Sequence, residues 1–211
     1  MDAKTPRRGR RTAEEAARTR EVILTAAMRL FAERGFDAVS LRDIAVEADS
    51  AHGLIRHYFG TKEQVWQAVL ERADAEFTVA MRAVLDAPAG EDPVETIRHV
   101  VRVLTSTSAE HPEIVRLLLG EGTRGGPRLR QIIERLTPLR STVRDLLPEL
   151  QAQGRFTGVE PDTFVMVLLL GVAGPFALSS LAEGLTGRNP LSAAFAEQHT
   201  GQIMTLLFPE G

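Results

Sequence analysis

The stretch SLRDIAVEADSAHGLIRHYFGTKEQV, residues Ser40–Val65, decides how the whole chain is interpreted. Its apolar residues come in short groups separated by polar, basic and glycine residues, a spacing that no single long helix would use. Ser40 and Asp43 have the spacing of a capping box, and Thr61 and Gln64 repeat that spacing before a longer apolar pattern. The stretch therefore predicts two short helices followed by the start of a long one.

The two short helices are separated by ADS at residues 48–50, because Asp and Ser compete for backbone hydrogen bonds and favour turns. A longer helix at residues 14–34 precedes them and is predicted to end at Gly35. Two short helices joined by a tight turn and backed by a third fit a helix-turn-helix, whose second helix enters the major groove of DNA. Gly53 lowers helix propensity by about 1 kcal/mol relative to Ala. We expect it where the helix backbone approaches another helix, a phosphate or a base edge closely.

The remainder of the chain also has helical periodicity, interrupted by Pro- and Gly-containing breaks, and no alternating strand pattern. The sequence predicts an all-α fold of about nine helices. We divide it into a basic N-terminal arm at 1–15, a three-helix helix-turn-helix domain at 16–66 and a C-terminal helical domain at 67–211.

One apolar run, Phe164–Ala182, has 19 residues without a charge, long enough to cross a bilayer. Its acidic flanks and its internal glycines and proline favour a buried helix, so no membrane partner is expected. A partner subunit would complete the burial of this helix. The last predicted helix, residues 192–208, would form the other half of a homodimeric four-helix bundle, through Phe195, Ile203, Leu206 and Leu207.

Charge is distributed unevenly over the 211 residues, whose net charge is −3. The first 66 residues carry 12 Lys and Arg against 10 Asp and Glu, whereas the remainder carries 13 against 18. The basic residues of the arm are Lys4, Arg7, Arg8, Arg10 and Arg11. Such an arm either binds polyanions or forms a solvated tail.

The amino-acid composition excludes several kinds of functional site. The chain has no cysteine, which excludes thiolate nucleophiles, disulfides and cysteine-ligated metals. The sequence has no metal-ligand cluster, no phosphate-binding loop and no Ser/His/Asp grouping, so we predict neither a cofactor nor an enzyme. The N-terminus lacks the apolar segment of a secretory signal, which predicts a cytoplasmic protein.

Residues 16–66 resemble the DNA-binding domain of the TetR family of transcriptional regulators. The family pattern runs Thr-x-x-x-Ile-Ala-x-x-Ala-Gly-Val-Ser-x-Gly-x-Leu-Tyr-x-Tyr/His-Phe-x-x-Lys-Glu. Its positions are matched by Ser40, Ile44, Ala45, Ala48, Gly53, Ile55, Tyr58, Phe59, Lys62 and Glu63. The chain departs from the pattern at Asp49, Ser50, Ala51 and Arg56, and we expect Ser50 or Asp49 to replace the missing serine cap.

The resemblance implies a DNA-binding surface. Arg42 would read a guanine, while His52, Gly53 and Leu54 would reach base edges from the start of the recognition helix, behind Ala51 at the cap position. Leu54 could alternatively belong to the core. Phosphate contacts would come from Ser40, Arg56, His57, Tyr58, Thr61 and Lys62.

The resemblance further implies a homodimeric repressor that binds double-stranded operator DNA and is released by a small-molecule effector. Apolar candidates for the effector cavity suggest a lipophilic ligand. They are Met81, Leu85, His99, Val103, Leu117, Leu118, Ile133, Leu136, Val167, Leu168 and Phe176, each of which could instead be simple core. The alternative function is an all-helical small-molecule or lipid carrier that does not bind DNA.

Overall fold

The computed structural model describes residues 8–85 and 92–209, with side chains from residue 13 onward except at 83 and 85. Within these ranges the fold is all-α, as predicted. The helices are α1 (Arg8–Arg34), α2 (Leu41–Glu47), α3 (His52–Phe59), α4 (Lys62–Leu85), α5 (Pro93–Glu110), α6 (Pro112–Arg124), α7 (Pro127–Arg135), α8 (Thr137–Ala152), α9 (Pro161–Ala177), α10 (Ser179–Thr186) and α11 (Ala193–Leu207).

The described ranges thus contain eleven helices rather than nine, because two predicted helices are broken. Leu136 separates α7 from α8, where Thr137 and Pro138 start a new first turn. Leu178 separates α9 from α10, which meet at an angle of 83°. Pro at the first turn of a helix is well tolerated, so Pro138 marks a helix start and not merely a kink.

The first helix is longer than predicted and begins at Arg8. Residues 8–15 of the expected arm are therefore helical, because no Gly or Pro interrupts the chain between Arg10 and Arg34. Residues 1–7 of the arm lie outside the described residues. The chain divides into two compact units between Arg72 and Ala73, inside α4, rather than after residue 66.

The N-terminal unit is built around the apolar faces of its first three helices. Ile23, Ala27 and Leu30 of α1 are fully buried together with Ile44 and Ile55. Beside them the rings of Phe31, Phe36 and Trp66 lie with centroids 5.4–5.7 Å apart, in tilted and edge-to-face arrangements. This core holds α2 and α3 at the surface of the unit.

The C-terminal unit has a core of its own. Buried residues from five helices form it, among them Val100, Leu139, Leu147, Phe164 and Leu168. A carboxylate also lies inside this unit: Glu121 is 1% exposed and is paired with Arg124 and Arg128 at 3.5 and 3.3 Å. Two guanidinium groups thereby offset the desolvation of one buried charge.

The uncharged run within α9 and α10 is not a single helix. Leu168–Ala173 has the wider π-helical hydrogen bonding, and the chain then bends after Ala177. Arg116 of α6 donates to the carbonyl of Ala177 at 3.0 Å and to the Ser179 hydroxyl at 3.1 Å, so one guanidinium holds both sides of the bend. Within the described ranges no single helix is long and apolar enough to cross a membrane, although the bent pair α9–α10 has the necessary length and composition.

Burial along α9 and α10 is one-sided. Phe164, Leu168, Val172 and Phe176 are buried, whereas six apolar side chains are 45–78% exposed. These six are Met166, Val167, Leu170, Leu178, Leu181 and Leu185. The prediction for α11 needs a correction, because Phe195 is buried within its own chain against Phe176 and His199, and only Leu206 of the four named residues is strongly exposed.

Candidate nucleic-acid interface

The start of α2 is fixed by the predicted capping box. The hydroxyl of Ser40 accepts a hydrogen bond from the Asp43 N–H at 3.1 Å and donates to the Asp43 carboxylate at 2.6 Å. The carboxylate also accepts from the Ser40 N–H at 2.8 Å. These two bonds from Ser40 lower the pKa of Asp43, with smaller contributions from the charges of Arg34 and Arg42. Ser40 therefore positions α2, and Arg42 extends into solvent from its first turn.

The turn between α2 and α3 differs from the prediction. Ala51 occupies the N-cap position without a side-chain hydrogen bond, so neither Asp49 nor Ser50 caps α3. The Ser50 hydroxyl is buried without a hydrogen-bond partner. Asp49 has φ of 46°, in the left-handed region that favours glycine, and it is the position at which the family pattern has Gly. The first turn of α3 is therefore closed by a backbone hydrogen bond alone, from the Leu54 N–H to the Ala51 carbonyl at 2.8 Å.

The recognition helix α3 has a buried and an exposed side. Ile55 and Phe59 are buried, whereas Leu54 is 39% exposed and so is not a core residue. His52, Gly53, Arg56 and His57 are also exposed, and Tyr58 is half-buried. The exposed residues belong to the set predicted to contact DNA.

Gly53 does not serve helix–helix packing. A Cβ built at this position would meet no atom within 4 Å, so the expected close approach to another helix is wrong for the chain itself. The alternative given by the sequence, close approach of a base edge or phosphate, stays a prediction.

The end of α3 and the start of α4 form a surface depression lined by Leu41, Arg56, Gly60, Thr61 and Lys62. Gly60 reverses the chain with φ of 80°, and its Cβ would collide with the Gln64 side chain. The Thr61–Gln64 capping box is present, since the Thr61 N–H donates to Gln64 Oε1 at 2.9 Å and the Thr61 hydroxyl accepts from the Gln64 N–H at 3.2 Å. The depression brings Arg56 and the Thr61 hydroxyl together, a combination suited to a phosphate.

Lys62 is bonded to backbone carbonyls of its own unit, and the predicted phosphate contact stays a prediction. Its ammonium donates to the carbonyls of Phe36 and Val39 at 2.9 and 2.8 Å and lies 4.2 Å from the centroid of the Phe36 ring. Because two carbonyls and a ring face the charge, Lys62 fastens the connection between α1 and α2. It is a positioning residue for the helix-turn-helix.

Several residues that sequence reasoning missed hold this unit together. Arg29 of α1 forms an ion pair with Glu47 of α2, and Arg20 lies over the Phe59 ring at 5.2 Å. Trp66 completes the aromatic core. Both arginines lie outside the apolar stripe of α1, and no local sequence pattern identifies their partners.

The predicted effector-lining residues differ in their burial. Met81, Leu117, Leu168 and Phe176 are buried as core, whereas Ile133 and Val167 are 39% and 45% exposed. The half-buried members are His99, Val103, Leu118 and Leu136, and the side chain of Leu85 lies outside the described residues. None of these residues lines the groove between α5 and α11. Across the described chain, His, Asp and Glu form no group that could hold a metal ion.

Comparison with known proteins agrees with this geometry. Residues 23–69 match the family model of bacterial regulatory proteins of the tetR family, and residues 93–206 match that of the tetracyclin repressor-like C-terminal domain. The chain is 34% identical over 120 residues to the HTH-type transcriptional repressor NicS of Pseudomonas putida, covering 56% of this chain and 55% of NicS. It is 29% identical over 174 residues to the HTH-type transcriptional repressor BepR of Brucella suis, covering 78% and 82%. The chain thus spans about half the length of NicS.

Two solved structures share the fold. AibR in complex with isovaleryl coenzyme A and operator DNA has a TM-score of 0.71 at 21% identity, covering 92% of this chain and all of that one. The ketosteroid transcriptional regulator KstR2 of Mycobacterium tuberculosis has a TM-score of 0.70 at 22% identity, covering 89% and 92%. The helix-turn-helix geometry and the two family models, the second of which alone spans more than half the chain, lead to one conclusion: the chain belongs to the TetR family of bacterial regulatory proteins.

Proposed function

We propose that the protein is a transcriptional repressor that binds a pseudo-palindromic operator as a homodimer and leaves the DNA when a small molecule binds. The observation that carries this proposal is the surface of α3. Gly53, Leu54, Arg56 and His57 are exposed on it, while Ile55 and Phe59 anchor the helix in the core. A helix held in this way presents its N-terminal residues to base edges of the major groove.

Contacts with DNA divide into two kinds. Arg42 is exposed at the first turn of α2 and is suited to a bidentate contact with guanine, worth about 1–3 kcal/mol of discrimination. Arg56, His57, Tyr58 and the Thr61 hydroxyl contact phosphates, which fix register without reading sequence. Ser40 and Lys62 act behind them by fixing the positions of α2 and of the connection that precedes it.

The homodimer is supported by the exposed apolar side chains of α9 and α10. Leu170, Leu181 and Leu185 are 50%, 58% and 78% exposed, and Leu206 of α11 is 77% exposed. Apolar residues this exposed and this numerous mark an interaction surface. A second copy would bury them through a two-fold interface.

Release by a small molecule is supported by a structural relative, AibR, which has been seen with isovaleryl coenzyme A and operator DNA. The mechanism is a shift between two dimer arrangements. The effector favours the arrangement that cannot span half-sites about one helical turn apart, roughly 34–36 Å. Binding of the operator and of the effector then oppose each other by the same coupling free energy. A regulator that binds operator DNA acts in the cytoplasm, so this location belongs to the proposal.

Selection of bound sequences from a random duplex pool at about 0.15 M salt tests this function without knowledge of the genome. An enriched inverted repeat is the expected result, because a two-fold dimer reads two half-sites of opposite orientation. No enrichment, together with weak binding that ignores salt, would instead favour the carrier function.

A further inference from the structure

A groove of about 770 Å³ lies between α5 and α11 in the C-terminal unit. Its volume falls within the range of about 300–1,000 Å³ that is usual for small-molecule sites. On α5 it is lined by one stripe of the helix, which includes Arg98, Arg102, Thr105 and Glu110. The facing stripe of α11 contributes small residues, among them Ala196 and Gly201, together with the carboxylate of Glu197.

The hydroxyl groups at the floor of the groove are hydrogen-bonded within the protein. The hydroxyls of Thr105 and Thr200 are 2.7 Å apart and join α5 to α11. Each hydroxyl is also within hydrogen-bond distance of a carbonyl of its own helix, that of Val101 at 3.0 Å and that of Ala196 at 2.9 Å. Because these bonds use both hydroxyl protons, the floor has no donor to offer, and with Met204 it is a mainly apolar surface for a ligand.

Charge varies along the α5 stripe. Arg98 lies in the second turn of α5, Arg102 at its middle and Glu110 at its end. Glu95 contacts Nε of Arg98 at 3.1–3.2 Å, which fixes a guanidinium that has four further N–H donors. Arg102 and Glu110 are eight residues apart, which is about 12 Å along the helix. An occupant therefore meets positive charge at one end of this stripe and negative charge at the other.

The groove stays open in the proposed dimer. Thr200 faces the groove, whereas Leu206, six residues later, is rotated from it by about 120° around α11. The exposed apolar side chains assigned to the partner subunit are those of α9, α10 and Leu206. The groove residues of α11 are therefore on a different face from the dimer contact.

The geometry points to a site for an aliphatic monocarboxylate, with the carboxylate at Arg98 and Arg102 and the chain along the Thr105–Thr200 floor. Glu110 disfavours a second carboxylate at the far end of the ligand, so the groove selects monocarboxylates over dicarboxylates of the same length. The assignment of this ligand as the effector rests on the proposed function, whereas its binding to the groove does not.

Calorimetric titration of the full chain with decanoate, in the absence of DNA, tests the site. We expect saturable binding of decanoate, and binding of decanedioate and 1-decanol weaker by about tenfold or more. Arg102→Gln removes one guanidinium and is expected to weaken decanoate binding by about tenfold. Gly201→Leu fills the groove where a Cβ has open space, and is expected to abolish binding. Arg144→Gln, which changes an exposed arginine of α8 outside the groove, is the matched control and should bind as the parent does.

A second variant tests the polarity of the groove. Glu110→Gln is expected to raise the affinity for decanedioate more than that for decanoate, so the preference for the monocarboxylate should fall. The site is overturned if the parent chain does not bind decanoate, or if Arg102→Gln and Gly201→Leu bind it as tightly as the parent. Failure of the duplex selection would remove the repressor but not the groove, so the two proposals fail separately.

Discussion

Gly53 is the residue at which stability and DNA binding are expected to move in opposite directions. Gly53→Ala adds a Cβ into open space in the isolated chain and raises helix propensity, so it should stabilise the protein by about 0.5–1 kcal/mol. The same Cβ lies where α3 approaches DNA and should weaken operator binding. Urea unfolding and a binding titration measure the two effects.

Gly122→Ala is the control for this prediction. Gly122 is an exposed glycine of α6 with equally open surroundings, outside the DNA-binding unit. It should change stability in the same direction and leave operator binding unaltered. An unchanged operator affinity in Gly53→Ala would mean that the backbone at this position does not approach the DNA.

Arg56 and Lys62 line the same depression but should respond differently to substitution. Arg56→Gln removes an exposed phosphate contact and should lower the slope of log affinity against log salt by about one. Lys62→Met should leave that slope nearly unchanged, because its ammonium is bonded to the carbonyls of Phe36 and Val39. It should instead destabilise the unit by about 1–3 kcal/mol, since two partly buried carbonyls lose their donor.

Salt titrations of operator binding, with urea unfolding in parallel, separate these effects. A slope that falls by one in Lys62→Met with full stability would return Lys62 to the phosphate-contacting set. The Lys62 hydrogen bonds could not be predicted from sequence, because their acceptors are backbone carbonyls 26 and 23 residues away. Every residue has a backbone carbonyl, so no sequence pattern marks these two as acceptors.

The capping box at the start of α2 is expected to make the stability of the folded protein depend on pH. Hydrogen bonds from Ser40 lower the pKa of Asp43 in the folded chain. A carboxyl group with a lowered folded pKa stabilises the protein above its unfolded pKa of about 4, and this contribution is lost as the pH falls through the folded pKa. The parent chain should therefore lose more stability on acidification than Asp43→Asn does. Urea midpoints measured between pH 3 and 6 give the comparison, and parallel curves for the two proteins would contradict the assignment.

Elements were predictable where the signal is local. Both capping boxes join residues three positions apart and were found by this spacing. The end of α1 was likewise found at Gly35, whose φ is 79°. The bend after Ala177 was not, because Arg116, some 60 residues earlier in the chain, holds it together. The cap of α3 was also mispredicted, since Asp49 takes the left-handed conformation and cannot also serve as a cap.

For the whole molecule, the exposed apolar face predicts the assembly state. Leu170→Glu combined with Leu185→Glu places charges on two half- to mostly exposed positions of this face and should leave the fold intact. The variant should sediment with about half the mass of the parent protein, because charges would be buried unpaired in the dimer. It should also lose the preference for an inverted repeat.

Val79→Glu provides the control for dimerisation. Val79 is 67% exposed on α4, which contributes none of the exposed side chains of the α9–α10 face, so the variant should keep the parent mass. If the parent chain itself sediments as a monomer, the apolar face is not a dimer interface.

The residues that line an effector cavity could not be identified from the sequence. Apolar residues at helical spacing form the same pattern whether they fill a core or line a groove.

The hydrogen bonds of Lys62 also bear on its reactivity toward acylating reagents. The chain has only two lysines, at positions 4 and 62, and the second is held by carbonyls on the connection between α1 and α2. An acylating reagent can modify it only after those hydrogen bonds open. The rate of Lys62 acylation, followed by peptide mass spectrometry, therefore reports how often this connection opens in solution, with no engineered label.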